Sequence, residues 1–451
     1  MLTFQIWHDQ RWLDAATIVF DEPRRGFEGS AHLSYEMDYV VETTASEMAQ
    51  GIAVTDRRAL SVNFPVDFAD YQLRRWPAFL LDLMPQGHAR RALLRDLNLD
   101  EHSRSSDLPL LVRAGGSTIG NIRIKEAWEE ERRRLDGFDP IGVELEEILG
   151  RTDRFMEVVN RHAMLASGSS GLQGEWPKVA MTLSSDGLFY PDPFVTDDEA
   201  VEHVIVKLQR EPNEEDAAIL EAEVAYSHIA HDLGLNVHRP STYAPGVAVI
   251  PRFDRTTMNG RVERHGQESM VSALGVSEFG WTDTHENYLR RLVEVSTSPR
   301  DDVVEYVLRD VANLAMGNSD NHGRNTAITK KADGTVRLSP LFDFAPMKLS
   351  RQTIMRSTKW ECMRASGGEY SPDWEIVCDA LAPLGVDPED LMGEIRAFAE
   401  RLADVPRWVG DYGLPDMVQR RALANCEEIV AGILGPEEAA PEKPVHVGPR
   451  P

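Results

Sequence analysis

Cysteine is almost absent. Cys362, Cys378 and Cys426 are the three in 451 residues, and no two form a C-x-x-C pair. That pattern gives neither a disulfide framework nor zinc-ligand spacing, and it suits a reducing, cytoplasmic setting. Long apolar runs are also missing. None approaches the roughly eighteen residues that cross a bilayer, so no membrane association is expected. Met1–Trp12 holds no basic stretch followed by an apolar one, so no signal peptide is expected. Positive charge is scarce: 48 Lys and Arg stand against 74 Asp and Glu, for a net charge of −26. A chain that acidic repels phosphate backbones, and DNA is expected to be met only indirectly, through a basic partner.

What is present is enough for two or three folded units. Hydrophobic residues make up 42% of the chain, which supports packed cores rather than disorder. Residues 1–135 read as an N-terminal α+β unit, with strands over Thr3–Trp7, Ala59–Phe64 and Asn121–Lys125. A helix is expected to bury Phe79, Leu80, Leu83 and Met84. Residues 126–140 form a charged bridge with Glu129/Arg133 and Glu130/Arg134 at i,i+4 spacing. Mixed helix and strand follow over 150–255, and helical patterns dominate 256–435. The Pro- and Glu-rich residues 436–451 are expected to be a disordered tail. No internal repeat is visible.

The most informative stretch is Gly317-Asn318-Ser319-Asp320-Asn321-His322-Gly323-Arg324-Asn325, then Leu341-Phe342-Asp343-Phe344. Asp320 and Asn325 have the spacing of the base and the metal-binding amide in the protein-kinase catalytic loop. Asp343, followed by Phe, stands where kinases carry their metal-binding aspartate. One carboxylate to take a hydroxyl proton, with an amide and a second carboxylate to hold Mg²⁺ against nucleotide phosphates, is what phosphoryl transfer requires. Turn residues of this kind also serve purely structural loops. Asp320, His322 and Asp343 could instead ligate a transition metal for hydrolysis, although no fourth ligand stands nearby.

Upstream, Ser167–Gly174 carries glycines at G-x-x-G-x-x-G spacing, a loop whose N–H groups can face phosphate oxygens, or simply a flexible turn. Lys207, inside the β-branched run Val204–Leu208, is the candidate phosphate lysine, with Lys178 as its competitor. Glu223, on a helix expected over Ile219–Leu233, is placed to pair with Lys207. Arg252, Asp254 and Arg255 read as a structural ion cluster.

These residues together resemble the HipA-like serine/threonine kinases, the toxins of bacterial HipBA-type toxin–antitoxin systems. The resemblance spans most of the chain. It is carried by Leu83–Gly87, Arg113–Gly120, Gly171-Leu172-Gln173 with Lys178, His203–Lys207, Arg252–Arg255, the Asp320–Asn325 loop and Asp343. It implies a protein-kinase-like bilobed α+β fold, with the added N-terminal subdomain and a mainly helical C-terminal lobe. It implies ATP and Mg²⁺ as cofactors, Asp320 as catalytic base, and Asn325 and Asp343 as metal ligands. Gly171, Gln173, Lys178, Lys207 and Glu223 would serve ATP binding. Ser167, Ser169 and Ser170 become candidates for self-phosphorylation. The expected partners are a helix-turn-helix, HipB-like antitoxin and a protein substrate, with aminoacyl-tRNA synthetases among the family's targets. The chain departs from the common family pattern at Gly174–Pro177, where its loop is longer. Two other functions fit part of this pattern: a non-catalytic scaffold or co-repressor for a DNA-binding antitoxin, and a kinase of small molecules.

Overall fold

The computed structural model describes residues 1–165, 176–368, 370–408 and 410–435. The tail expected over 436–451 lies outside the described residues.

The N-terminal unit is an antiparallel sheet of β1 (Leu2–His8), β2 (Arg11–Phe20), β3 (Ala31–Tyr35), β4 (Asp70–Leu73) and β5 (Ile122–Ile124), in the order β4-β3-β2-β1-β5. Phe4, Ile6, Ile18 and Leu33 of this sheet share one core with Trp76, Leu80 and Leu111. Two expectations are corrected here. Ala59–Phe64 forms no strand but a turn with a single Ser61–Phe64 bridge. Its polar groups turn to a distant carboxylate instead: Ser61 Oγ and Val62 N–H donate to Glu268 at 2.5 and 3.0 Å. The apolar run Phe79–Met84 forms one 3-10 turn, Ala78–Leu81, rather than a helix. Pro77 before it and Pro85 after it limit its length, and its four apolar residues are nevertheless buried. The charged bridge is a helix, Lys125–Leu135, docked on β1, and it pairs Arg133 with Glu130 at i,i+3 rather than Glu129.

The second sheet runs β7-β6-β8-β10-β9, from β6 (Lys178–Ser184), β7 (Phe189–Pro191), β8 (Ala200–Leu208), β9 (Thr242–Ala244) and β10 (Val247–Pro251). All its pairings are antiparallel, and Lys178 lies opposite Lys207. The bridge Val143–Phe189 joins the chain to this sheet ahead of residue 150. The Glu214–Asp232 helix packs across it. That helix starts earlier than the apolar pattern suggests because Asn213 caps it, accepting from Asp216 N at 2.8 Å.

The remainder is mainly helical, around a core that includes Val307, Val311, Trp360, Ile395 and Phe398. It also carries strands in a region whose pattern reads as helical. A hairpin pairs β11 (Arg255–Met258) with β12 (Arg261–Arg264), and a small sheet is built from β13 (Gly266–Ser269), β14 (Ala327–Lys330) and β15 (Val336–Leu338). The long Pro299–Ala315 helix ends at Gly317, whose left-handed φ of +71° turns the chain into the Asp320 loop. β14 and β15 then return it to Asp343.

Candidate active site

Lys207 points from β8 onto the Glu214–Asp232 helix, where its Nζ lies 2.5 Å from Glu223 Oε2. The same ammonium is 3.4 Å from Asp343 Oδ1, and Lys178 Nζ is 3.5 Å from that oxygen. Burial alone would push the Asp343 carboxyl up, but the Lys178 and Lys207 ammoniums hold it well below the usual carboxylate range. Burial and the neighbouring Lys207 lower Lys178, against the pull of Asp343. For Lys207, the attraction of Glu223 and then Asp343 outweighs burial, and its pKa is raised. Trp176, within the stretch where the chain departs from the family pattern, lies over Lys207 with the ammonium 5.4 Å from its ring centroid.

Asp343 is a non-glycine residue at φ +50°, a conformation that costs an ordinary residue about 1–2 kcal/mol. Phe344 on one side is buried against Tyr226, with ring centroids 5.3 Å apart. The left-handed turn lets Phe344 enter the core while the carboxylate meets the two lysines. Strain of this sort persists where surrounding structure over-determines it.

The Asp320 loop is fixed by its own side chains. Asn318 accepts from Asp320 N at 3.2 Å and donates to Asn313 Oδ1 at 2.9 Å. Asn321 donates to Thr358 O at 3.0 Å, which ties the loop to the segment after Asp343. Asn325 donates its amide N–H to Asp320 O at 2.8 Å, and this leaves its Oδ1 as the group available to a cation. His322 Nε2 is 3.4 Å from Asp320 Oδ1.

Asp320, Asn325 and Asp343 line one polar pocket of about 30 Å³. Asn325 and Asp343 also line an adjoining cavity of about 230 Å³, with Lys178, Glu223 and the apolar Ile205, Ile250 and Phe342. The structure thus gathers Lys178, Lys207, Glu223, Asp320, Asn325 and Asp343 at one cleft. Gly171, Gln173, Ser167, Ser169 and Ser170 lie outside the described residues. Among the described residues no three His, Cys, Asp or Glu side chains converge as a metal-holding cluster, and Asp320, His322 and Asp343 do not form one. One carboxylate and one amide oxygen fit Mg²⁺, which takes few protein ligands and fills its remaining positions with water and phosphate oxygens.

Several participants escape sequence reasoning. Asp82, from the N-terminal unit, reaches Arg324 Nη1 at 3.2 Å. Asp192 receives Arg252 at 2.5 Å and Arg255 at 3.1 Å. Glu268 pairs with the buried Lys330 at 3.2 Å. Asp310 binds Arg356 and Trp360 Nε1 behind the loop. All of these join segments far apart in the chain, and no local pattern announces them.

Comparison with known proteins identifies the family and a likeness of fold. The family model of the HipA-like C-terminal domain matches residues 170–405, and that of the HipA N-terminal domain matches residues 31–125. The chain is 27% identical over 301 residues to "Putative kinase Y4mE" of Sinorhizobium fredii (strain NBRC 101917 / NGR234), covering 63% of this chain and 67% of that protein. In the solved complex of HipA, HipB and operator DNA from the Shewanella oneidensis MR-1 toxin–antitoxin system, a chain superposes with a TM-score of 0.64. The match covers 96% of this chain and 99% of that one at 17% identity, which is a likeness of fold.

Proposed function

This chain belongs to the HipA-like family, and from that premise we propose that it is an ATP- and Mg²⁺-dependent serine/threonine protein kinase, the toxin of a toxin–antitoxin pair. The observation that carries the reading is the convergence of Lys207, Glu223 and Asp343 beside the Asp320–Asn325 loop. Glu223 holds the Lys207 ammonium at the cleft, where it meets the phosphates of a bound nucleotide, and Lys178 adds a second positive charge. Asn325 and Asp343 would hold Mg²⁺, which supplies charge neutralisation at those phosphates. Asp320 takes the proton of the acceptor hydroxyl as its oxygen bonds to the γ-phosphorus. The bond from that phosphorus to the bridging oxygen breaks, and ADP leaves. Ile205, Ile250 and Phe342 offer an apolar wall against which a base can be shielded from water.

The acceptor is a serine or threonine of a cytoplasmic protein, with an aminoacyl-tRNA synthetase as the family-based candidate. One of Ser167, Ser169 and Ser170 is the proposed self-phosphorylation site. A helix-turn-helix antitoxin is the proposed partner. It would bring this acidic chain to DNA, as the solved relative is found with HipB and operator DNA.

The reading is tested by calorimetry of ATP binding with and without Mg²⁺, in the wild type, Asn325→Ala and Asp343→Ala. Binding that Mg²⁺ strengthens in the wild type and not in the two variants supports it. ATP affinity indifferent to Mg²⁺ and to both substitutions overturns it in favour of a scaffold.

A further inference from the structure

The N-terminal unit places one carboxylate against the catalytic loop. Asp82 follows the Ala78–Leu81 turn, and its side chain is only 14% exposed. It accepts from Ser269 N at 2.9 Å, Ser269 Oγ at 2.8 Å and Arg324 Nη1 at 3.2 Å. A carboxylate buried to this degree is costly unless such donors satisfy it.

Ser269 and Arg324 lead to the same few residues. Ser269 caps the short Met270–Ala273 helix, its Oγ accepting from Ser272 N at 3.2 Å. The next amide, Met270 N, donates to Gly323 O at 3.1 Å and Thr326 O at 2.9 Å. Ser269 also lies opposite Ala327 in the β13–β14 ladder. Arg324 sits inside the segment so gripped, its guanidinium 5.9 Å from the centroid of Phe279. Its Nη1 meets Asp82, while its Nη2 is buried with no hydrogen-bond partner among the described residues. Asp82, Ser269, Arg324 and Asn325 all line the cavity that Lys178 and Asp343 share.

We infer that Asp82 is a positioning residue of the phosphotransfer site: by holding Ser269 and Arg324 together it fixes residues 323–326, and with them the Asn325 amide. The N-terminal unit is thereby a working part of the kinase rather than an appended module. A partner that pulled the Ala78–Leu81 turn away would act on residues 323–326 through Asp82. The inference rests on the role given to Asn325, but its geometric half is testable without any catalysis.

The test is hydrogen exchange on the full chain, comparing the wild type with Asp82→Asn, Arg324→Gln and the double variant. Asparagine keeps the shape of the side chain and removes the charge. Amides of residues 323–327 and Met270 are expected to exchange about tenfold faster or more in Asp82→Asn, with β1 and β2 protected as in the wild type. Arg324→Gln reproduces the effect, and the double variant adds little, because the two residues act as one unit. Ser269→Ala, which removes one donor and no charge, gives a smaller change in the same amides and serves if Asp82→Asn fails to fold. In phosphoryl transfer kcat falls about tenfold or more while the KM for ATP moves less than about twofold, the mark of lost positioning rather than lost binding. Unchanged exchange at 323–327 in every variant that folds overturns the inference. If exchange changes as expected but neither the wild type nor any variant transfers phosphate, the kinase reading fails and the positioning contact stands.

Discussion

Lys207 Nζ donates to Glu223 Oε2 at 2.5 Å, joining the central strand of the second sheet to the helix that packs across it. Without Glu223 the ammonium would be left to Asp343, 3.4 Å away, and would neutralise the carboxylate proposed to hold the metal. Glu223→Gln keeps the side-chain shape and removes the charge. It is expected to lower phosphoryl transfer about 10²-fold, the order seen when one preorganised electrostatic contact is lost. Steady-state kinetics beside a melting curve checks this; full activity in a folded variant would show that the pair is structural only.

Gly323 sits where no side chain fits. A Cβ there would lie 2.4 Å from ring and hydroxyl atoms of the buried Tyr288. Gly323→Ala therefore has to displace the loop between Asp320 and Asn325, and transfer is expected to fall at least about tenfold. Gly393 is the matched control. It lies inside the Pro388–Leu402 helix with nothing within 4 Å of its added Cβ. Gly393→Ala should leave activity alone and stabilise the chain by about 0.5–1 kcal/mol. Equal losses of activity in both variants would sink the steric account of the loop.

The cluster of Arg252, Arg255, Asp192 and Asp254 balances two positive against two negative buried side chains. Asp254 also accepts from Gly120 N at 2.8 Å, which ties the N-terminal unit to the second sheet. Burial would raise both carboxyls, but Arg252 and then Arg255 hold them below the ordinary range. Their folded pKa values are thus depressed. The stability they contribute is fully present above the unfolded value of about 3.9 and is lost as pH falls below it. Melting temperature should drop steeply below about pH 4 in the wild type and less steeply in Asp254→Asn. At neutral pH that substitution leaves a buried guanidinium uncompensated, at a cost of about 3–5 kcal/mol. Parallel acid limbs in the two proteins would contradict this assignment.

Legibility in the sequence divides by the distance over which residues act. Asp320 and Asn325 are readable because five residues of spacing encode their relation, and Asp343 because a carboxylate amid Leu341, Phe342 and Phe344 demands a partner. Lys207 stands out as a charge inside a β-branched run. Asp82 gives no such signal, since the turn that presents it reads as core and its partners lie 187 and 242 residues away. Ala59–Phe64 looks like a strand because its alternation is real; what removes it from a sheet is Glu268, more than 200 residues downstream. Phe79–Met84 looks helical by spacing, but the flanking prolines weigh more than periodicity over so short a run. The strands β11 to β15 escape a pattern reading because each has only three or four residues.

The most direct test is transfer of label from γ-labelled ATP with Mg²⁺ onto protein, by the purified chain, alone and with a bacterial extract, beside Asp320→Ala. The account predicts label on this chain or on an extract protein in the wild type, at least about 10²-fold above the variant, in line with loss of a general base. Equal labelling by the two proteins, or none by either with extract present, would contradict it.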